Sequence, residues 1–278
     1  MATHSNQKLN RLHREFPERL LADAHWMEEH GYSSSLRSQY IKAGWLTQPA
    51  RRVYRRSNEP LTWEQAVMSL QVVMGLPLTI GGRTALEAQG YVHYLRQSER
   101  EVHLYGPKRP PSWLAELPLD VEFRWHNSCR LFPDDPLGQR APITSLHGGA
   151  VPDLMPGGFM VRQGQTVTWP MRYSSKERAV FELLDELPDR ESFHQVDMLM
   201  EGLSDLRPKA LQVQLENCRS IKVKRLFLFF ADRHRHDWLK KLDRDAVNLG
   251  SGKRLLVRGG RLDPKYQITV PADLDDVS

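Results

Sequence analysis

"SSSLRSQYIKAGWLTQPARRVYRR", residues 33–56, carries six Lys or Arg residues and no Asp or Glu. Its order decides how the N-terminal part of the chain folds. Ser33, Ser34 and Ser35 offer hydroxyls that accept hydrogen bonds from the free N–H groups of a first helical turn. A helix is therefore expected to follow them, with Leu36, Tyr40 and Ile41 on its inner face and Gly44 as its stop. Beyond it, WLTQ, a turn at Pro49-Ala50 and RRVYRR predict a short hairpin in which Trp45 and Leu46 face Val53 and Tyr54. Upstream, Leu20, Leu21, Ala24 and Met27 recur at helical spacing, and Gly31 is the expected C-cap. Helix, tight turn, helix and ribbon is the order of a winged helix-turn-helix, in which the second helix reads DNA and the ribbon is the wing.

That order gives the charge a use. A helix N-terminus turns unsatisfied N–H groups and the positive end of its dipole toward a phosphate. Ser33, Ser34, Ser35, Arg37, Ser38, Gln39 and Lys42 are residue types that meet phosphates or base edges. Arg51, Arg52, Arg55 and Arg56 on the wing would neutralise backbone charge and release counterions, making binding salt-sensitive. A charge run by itself is more often a solvated face; the placement within this element order favours contact with double-stranded DNA.

The remaining composition narrows the class. A chain of 278 residues accommodates two domains, and 40% hydrophobic with 26% charged residues is ordinary for a globular protein. The formal charge of +5, 39 basic minus 34 acidic residues, permits nucleic-acid binding without requiring it. Cys129 and Cys218 form no metal spacing. The N-terminal residues lack the apolar run of a signal peptide, and LFLFF at 226–230 is far short of the ~20 residues that span a bilayer. A cytoplasmic chain without membrane segments, metal or cofactor is expected.

Further along, LTWEQAVMSLQVVMGLPL predicts a helix capped by Thr62 and stopped at Gly75 and Pro77, and a short helix is expected from Arg83 to Gln89, before a strand. REVHLYGP and DVEFRWHNSCRLF read as strands, with PPSWLAELP as a short helix between them. Residues 133–170, rich in Pro and Gly, read as a long connection. The C-terminal part predicts a helical bundle: a helix after Ser175 ended by Pro188, SFHQVDMLMEGL, LRPKALQVQLENC with Pro208 in its first turn, and two helices in SIKVKRLFLFFADRHRHDWLKKL. GKRLLVRGGRLDPKYQITVP closes it as a hairpin.

No catalytic constellation emerges. His126 and His147 lack a carboxylate or second histidine at ligand spacing and are expected to be exposed polar residues. LGSGKR at 249–254 has one residue between its glycines and Arg254 after Lys253, which departs from the phosphate-loop pattern. Asp185/Glu186 and Asp232/Asp237 lack the lysine spacing of a metal nuclease. Lys222, Lys224 and Arg225, with Lys253 and Arg254, form a possible basic surface of the C-terminal part.

HGYSSSLRSQYIKAGWLTQPARRVYRR and GGRTALEAQGY resemble the N-terminal domain of the AbiEi antitoxins of type IV toxin–antitoxin systems, with Arg52 where the family text often has glycine. ERAVFELLDELP, EGLSDLRPKALQVQLENC, KVKRLFLFFADRH and LGSGKRLLVRGGRLDPKYQITVP resemble that family's antitoxin domain in the same order. The resemblance implies an α+β chain: a winged helix-turn-helix with packing helices over 1–92, and a larger C-terminal α/β antitoxin domain with a helical bundle and short sheet over 93–278. It further implies a non-enzymatic antitoxin and autorepressor that binds inverted repeats in its own promoter. The functional partner would be a nucleotidyltransferase-like toxin, without an assumed stable complex. The alternatives are a ligand-sensing winged-helix regulator and a nucleic-acid-processing enzyme.

Overall fold

The computed structural model describes residues 2–91, 101–133, 157–163 and 170–275. The fold is α+β, with two units built on separate sheets. In the first, helices α1 (Ala2–Glu15), α2 (Ala24–Glu29) and α3 (Ser34–Lys42) surround the strands β1 (Leu21–Asp23), β2 (Thr47–Ala50) and β3 (Val53–Arg55), ordered β1-β3-β2 and antiparallel throughout. Leu12 and Phe16, at the end of α1 and just after it, pack with Met27, Tyr32, Tyr40 and Leu46 in one small core.

Two sequence expectations change here. Leu20 and Leu21 lie outside the first helix of the turn motif: Leu21–Asp23 is a strand, Leu21 opposite Arg55, and the helix starts only at Ala24, capped by Asp23. Strand pairing overrides the helical spacing. The hairpin turn falls on Arg51-Arg52 rather than Pro49-Ala50, because Ala50 pairs with Val53 across it.

The two-residue turn forces Arg52 to φ +63. Left-handed backbone costs a non-glycine residue about 1 kcal/mol. Arg52→Gly is therefore expected to raise stability by up to about 1 kcal/mol, a few degrees in a thermal melt. A lower melting temperature would show that the Arg52 side chain contributes more than the strain costs.

The remaining capping expectations sit on the helices they were read from. Thr62 and Gln65 form a reciprocal capping box on α4 (Trp63–Met68). The helix widens into a π turn over Ser69–Val73 before Gly75 at φ +61. Ser69 Oγ accepts from Leu21 N at 2.7 Å, so this turn holds β1 and ties the first unit to the second.

The second unit is a mixed five-stranded sheet, ordered β6-β5-β4-β8-β7: β4 (Thr79–Ile80), β5 (Glu101–Gly106), β6 (Glu122–Asn127), β7 (Phe159–Gln163) and β8 (Pro170–Ser174). Helix α5 (Gly82–Ala88) follows β4, a 3-10 turn (Ser112–Glu116) lies between β5 and β6, and α6 (Ser128–Leu131) follows β6. Strand β7 occupies part of the stretch read as a connection; 134–156 and 164–169 lie outside the described residues, as do His147 and the strand expected after Gln89. Strand β4, inside the N-terminal stretch 1–92, belongs to this second sheet, and α5 after it packs against β5. Strand β4 is central, flanked by β5 antiparallel and β8 parallel.

Helices α7 (Lys176–Asp185), α8 (Phe193–Gly202), α9 (Pro208–Asn217) and α10 (Ile221–His234) form the bundle, with a 3-10 turn over Asp237–Lys241 and an antiparallel hairpin of β9 (Arg261–Asp263) and β10 (Ile268–Val270). Phe181 of α7 stacks on Phe227 of α10 at 4.7 Å between ring centroids. Both are fully buried, worth about 2–3 kcal/mol each by area. His126 is not the exposed residue expected: its ring stacks on Tyr105, lies 3.0 Å from His103 Nδ1 and pairs with Glu186 at 3.1 Å. Burial above all lowers the neighbouring His103 to about 4, so that imidazole stays neutral.

Candidate nucleic-acid interface

Helices α2 and α3 meet through a turn in which Gly31 takes φ +83 and Tyr32 N donates to Met27 O at 2.8 Å. Ser33 caps α3: its Oγ accepts from Leu36 N at 3.4 Å and lies 3.1 Å from Ser35 Oγ. Ser34, Ser35, Ser38, Gln39 and Lys42 are exposed on α3, with Ser38 Oγ also donating to Ser34 O at 3.0 Å. Arg51 and Arg52 are exposed at the wing tip. The wing turn is fixed to α2, since Ala24 N donates to Arg52 O at 2.8 Å.

Three of the six cations do something else. Arg37, 4% exposed, donates to Ala24 O, Tyr32 O and Glu28 Oε1 and lies over the Tyr54 ring. It fastens the start of α2, the turn and the wing to α3. That hydrogen bond, ahead of other influences, holds the Glu28 carboxyl below its ordinary range. Arg55, 3% exposed, donates to Glu59 O at 2.6 Å and Gln65 Oε1 at 2.9 Å, tying the wing to the capping box of α4. Arg56 donates to Phe16 O at 2.6 Å and His13 O at 3.0 Å, holding α1. These three are scaffold, and the surface cations of this motif are Lys42, Arg51 and Arg52.

The C-terminal basic surface divides in the same way. Lys224 and Arg225 are buried, and Lys222 donates to Asp185 O and Leu187 O at 2.6 and 2.9 Å. Only Lys253 and Arg254 of that group are exposed. Arg225 donates to Leu249 O at 2.8 Å and Gly252 O at 2.7 Å. The LGSGKR loop thus turns carbonyl oxygens onto a guanidinium, the opposite polarity to a phosphate cradle, which presents amides. Among the described residues no group of three His, Cys, Asp or Glu is arranged to hold a metal, and no helix is long and apolar enough to cross a membrane.

Sequence reasoning missed the surroundings of the wing tip. His25 is exposed at the first turn of α2, and Ser112 and Trp113 of the 3-10 turn reach the same place from the second unit. His25 lies within the motif, a local signal; Ser112 is 60 positions from Arg52, and no local pattern links them.

A family model for the N-terminal domain of the AbiEi antitoxin transcriptional regulators matches residues 5–97, and one for the AbiEi antitoxin transcriptional regulators of type IV toxin–antitoxin systems matches 99–271. The crystal structure of the RV2827C protein from Mycobacterium tuberculosis is similar at a TM-score of 0.53 and 14% identity, over 99% of this chain and 94% of that one, a likeness of fold. No curated protein matches the sequence. Matched across both units, the chain belongs to the AbiEi antitoxin family of type IV toxin–antitoxin systems, a family of transcriptional regulators.

Proposed function

We propose that this chain represses its own promoter by binding inverted repeats in double-stranded DNA, and counters a nucleotidyltransferase-like toxin encoded beside it, without enzymatic activity and in the cytoplasm. The observation that carries the DNA reading is the unpaired set on one motif. Lys42, Arg51 and Arg52 make no side-chain hydrogen bond or ion pair among the described residues, beside the exposed Ser34, Ser35 and Gln39. Cations that stabilise the fold are engaged; these are available to phosphates. Helix α3 would enter the major groove, with the wing on the flanking backbone. Antitoxicity is assigned to the larger unit.

Anisotropy with the upstream duplex and a scrambled duplex, between about 50 and 200 mM salt, tests the repressor. Expected are preference for the upstream duplex and a steep loss of affinity with salt. Salt-independent binding, or none, would overturn it. Co-expression with the adjacent toxin tests antitoxicity, and unrelieved growth arrest would overturn that half. The full chain is needed, because a fragment starting near residue 96 lacks β4, the central strand of the second sheet.

A further inference from the structure

The wing tip does not stand clear of the second unit. His25, Arg51 and Arg52 on one side and Ser112, Trp113 and Glu116 on the other enclose a cleft of about 480 Å³. Trp113 is 8% exposed, and its indole Nε1, buried from solvent, has no hydrogen-bond partner among the described residues. Beside it Ser112 is exposed, following Pro111 in extended backbone at φ −56 and ψ 143. Asp23, also at the cleft, is engaged as the cap of α2, its carboxylate accepting from Trp26 N at 2.9 Å. Glu116 is exposed, and no ion pair among the described residues engages it.

We infer that this cleft seats a backbone phosphate of the bound duplex, with charge from the exposed Arg51 and Arg52 and a neutral donor from the exposed Ser112 Oγ, over a wall formed by the Trp113 ring. The inference rests on the DNA reading above and makes the interface two-sided: the second unit touches DNA directly. A phosphodiester oxygen only accepts hydrogen bonds, which suits the two arginines and the Ser112 hydroxyl on this lining. Glu116 opposes the anion at the rim and weakens the seat.

The test uses four variants of the full chain on the upstream duplex, each checked by thermal melt. Ser112→Ala is expected to bind about tenfold more weakly. Trp113→Phe keeps the ring that walls the cleft and is expected to bind as the wild type, and both keep the wild-type salt slope because neither changes charge. Glu116→Gln tightens binding. Arg51→Ala/Arg52→Ala weakens it and lowers the slope of log affinity against log salt by about 2. Wild-type affinity in the Ser112 and Glu116 variants, whatever Trp113→Phe does, overturns the phosphate seat while the arginine pair still supports DNA binding. Unchanged binding in all four overturns the seat and moves the DNA contact away from the wing tip. Equal affinity for a single-stranded RNA of the same length overturns the assignment to duplex.

Discussion

Arg178→Ala is expected to destabilise the fold by about 3–5 kcal/mol, the cost of leaving a buried charge without its partner. Arg178 is 1% exposed and Glu182, one helical turn later, is fully buried. The guanidinium lies 4.3 Å from the ring centroids of both Phe132 and Phe159, and its Nη1 donates to Gly157 O at 2.9 Å. Its Nε donates to Glu182 Oε1 at 2.8 Å. Glu182 also accepts from Ser174 Oγ at 3.0 Å and from Gly82 N at 2.9 Å, at the start of α5. The pair therefore pins β8, α5 and the segment before β7 to α7.

Close approach here requires glycine. A Cβ at Gly81 would collide with the Glu182 carboxylate and the Tyr105 ring. The pair is not fully satisfied, since Arg178 Nη2 has no hydrogen-bond partner among the described residues. That imperfection sets the second arm of the measurement. Glu182→Gln should cost less than Arg178→Ala, because it removes charge while keeping shape. The double variant Arg178→Met/Glu182→Leu should lose much less than the summed single changes, since burying two apolar groups avoids desolvating two ions. Urea unfolding of the four proteins gives the comparison. Single variants within about 1 kcal/mol of wild type would show that the pair is open to water in solution.

What the sequence disclosed was mostly local chemistry. Ser33, Thr62 and Ser175 cap the helices that follow them, Gly31 takes the left-handed conformation a helix stop needs, and Pro208 opens α9. Each signal depends on a few neighbouring residues and survives in the fold. What was hidden is long-range. Arg178 and Glu182 stand four apart, the spacing of a solvated surface pair, and only packing from β7, β8 and α5 buries them. Strand β4 has two residues, too few for any period, yet it sits at the centre of the sheet. Leu21 follows a helical pattern and becomes strand because Arg55 lies opposite. The end of α1 is legible in its spacing, since Leu9, Leu12 and Phe16 recur at helical intervals and pack in the first core.

The same limit governs the basic run, and the second prediction separates its members. Arg51→Ala/Arg52→Ala is expected to lower affinity for the upstream duplex by about a hundredfold at low salt, each charge-assisted contact contributing about 1.5 kcal/mol or more. The salt slope should fall by about 2 as two fewer phosphates are neutralised. The melting temperature should stay close to that of the wild type, because neither side chain makes a hydrogen bond or ion pair among the described residues and the Arg52 charge acts on Glu28 only as a minor influence. Arg55→Ala should behave in the opposite way. Its guanidinium holds Glu59 O and Gln65 Oε1, so alanine loses two charge-assisted hydrogen bonds, although Gln65 Oε1 still accepts from Thr62 N, and costs about 1–3 kcal/mol. The folded fraction should bind with the wild-type salt slope. Arg37→Ala should follow Arg55→Ala, since it loses the three acceptors that hold α2, the turn and α3 together. Calorimetric melts and salt-titrated anisotropy on one set of proteins measure both properties. A reduced slope in Arg55→Ala with unchanged stability would place that side chain on DNA and dissolve the division between scaffold and surface cations. A run that is uniform in sequence would then act as one surface, and the hydrogen bonds of Arg37 and Arg55 would have to break before the protein could read its operator.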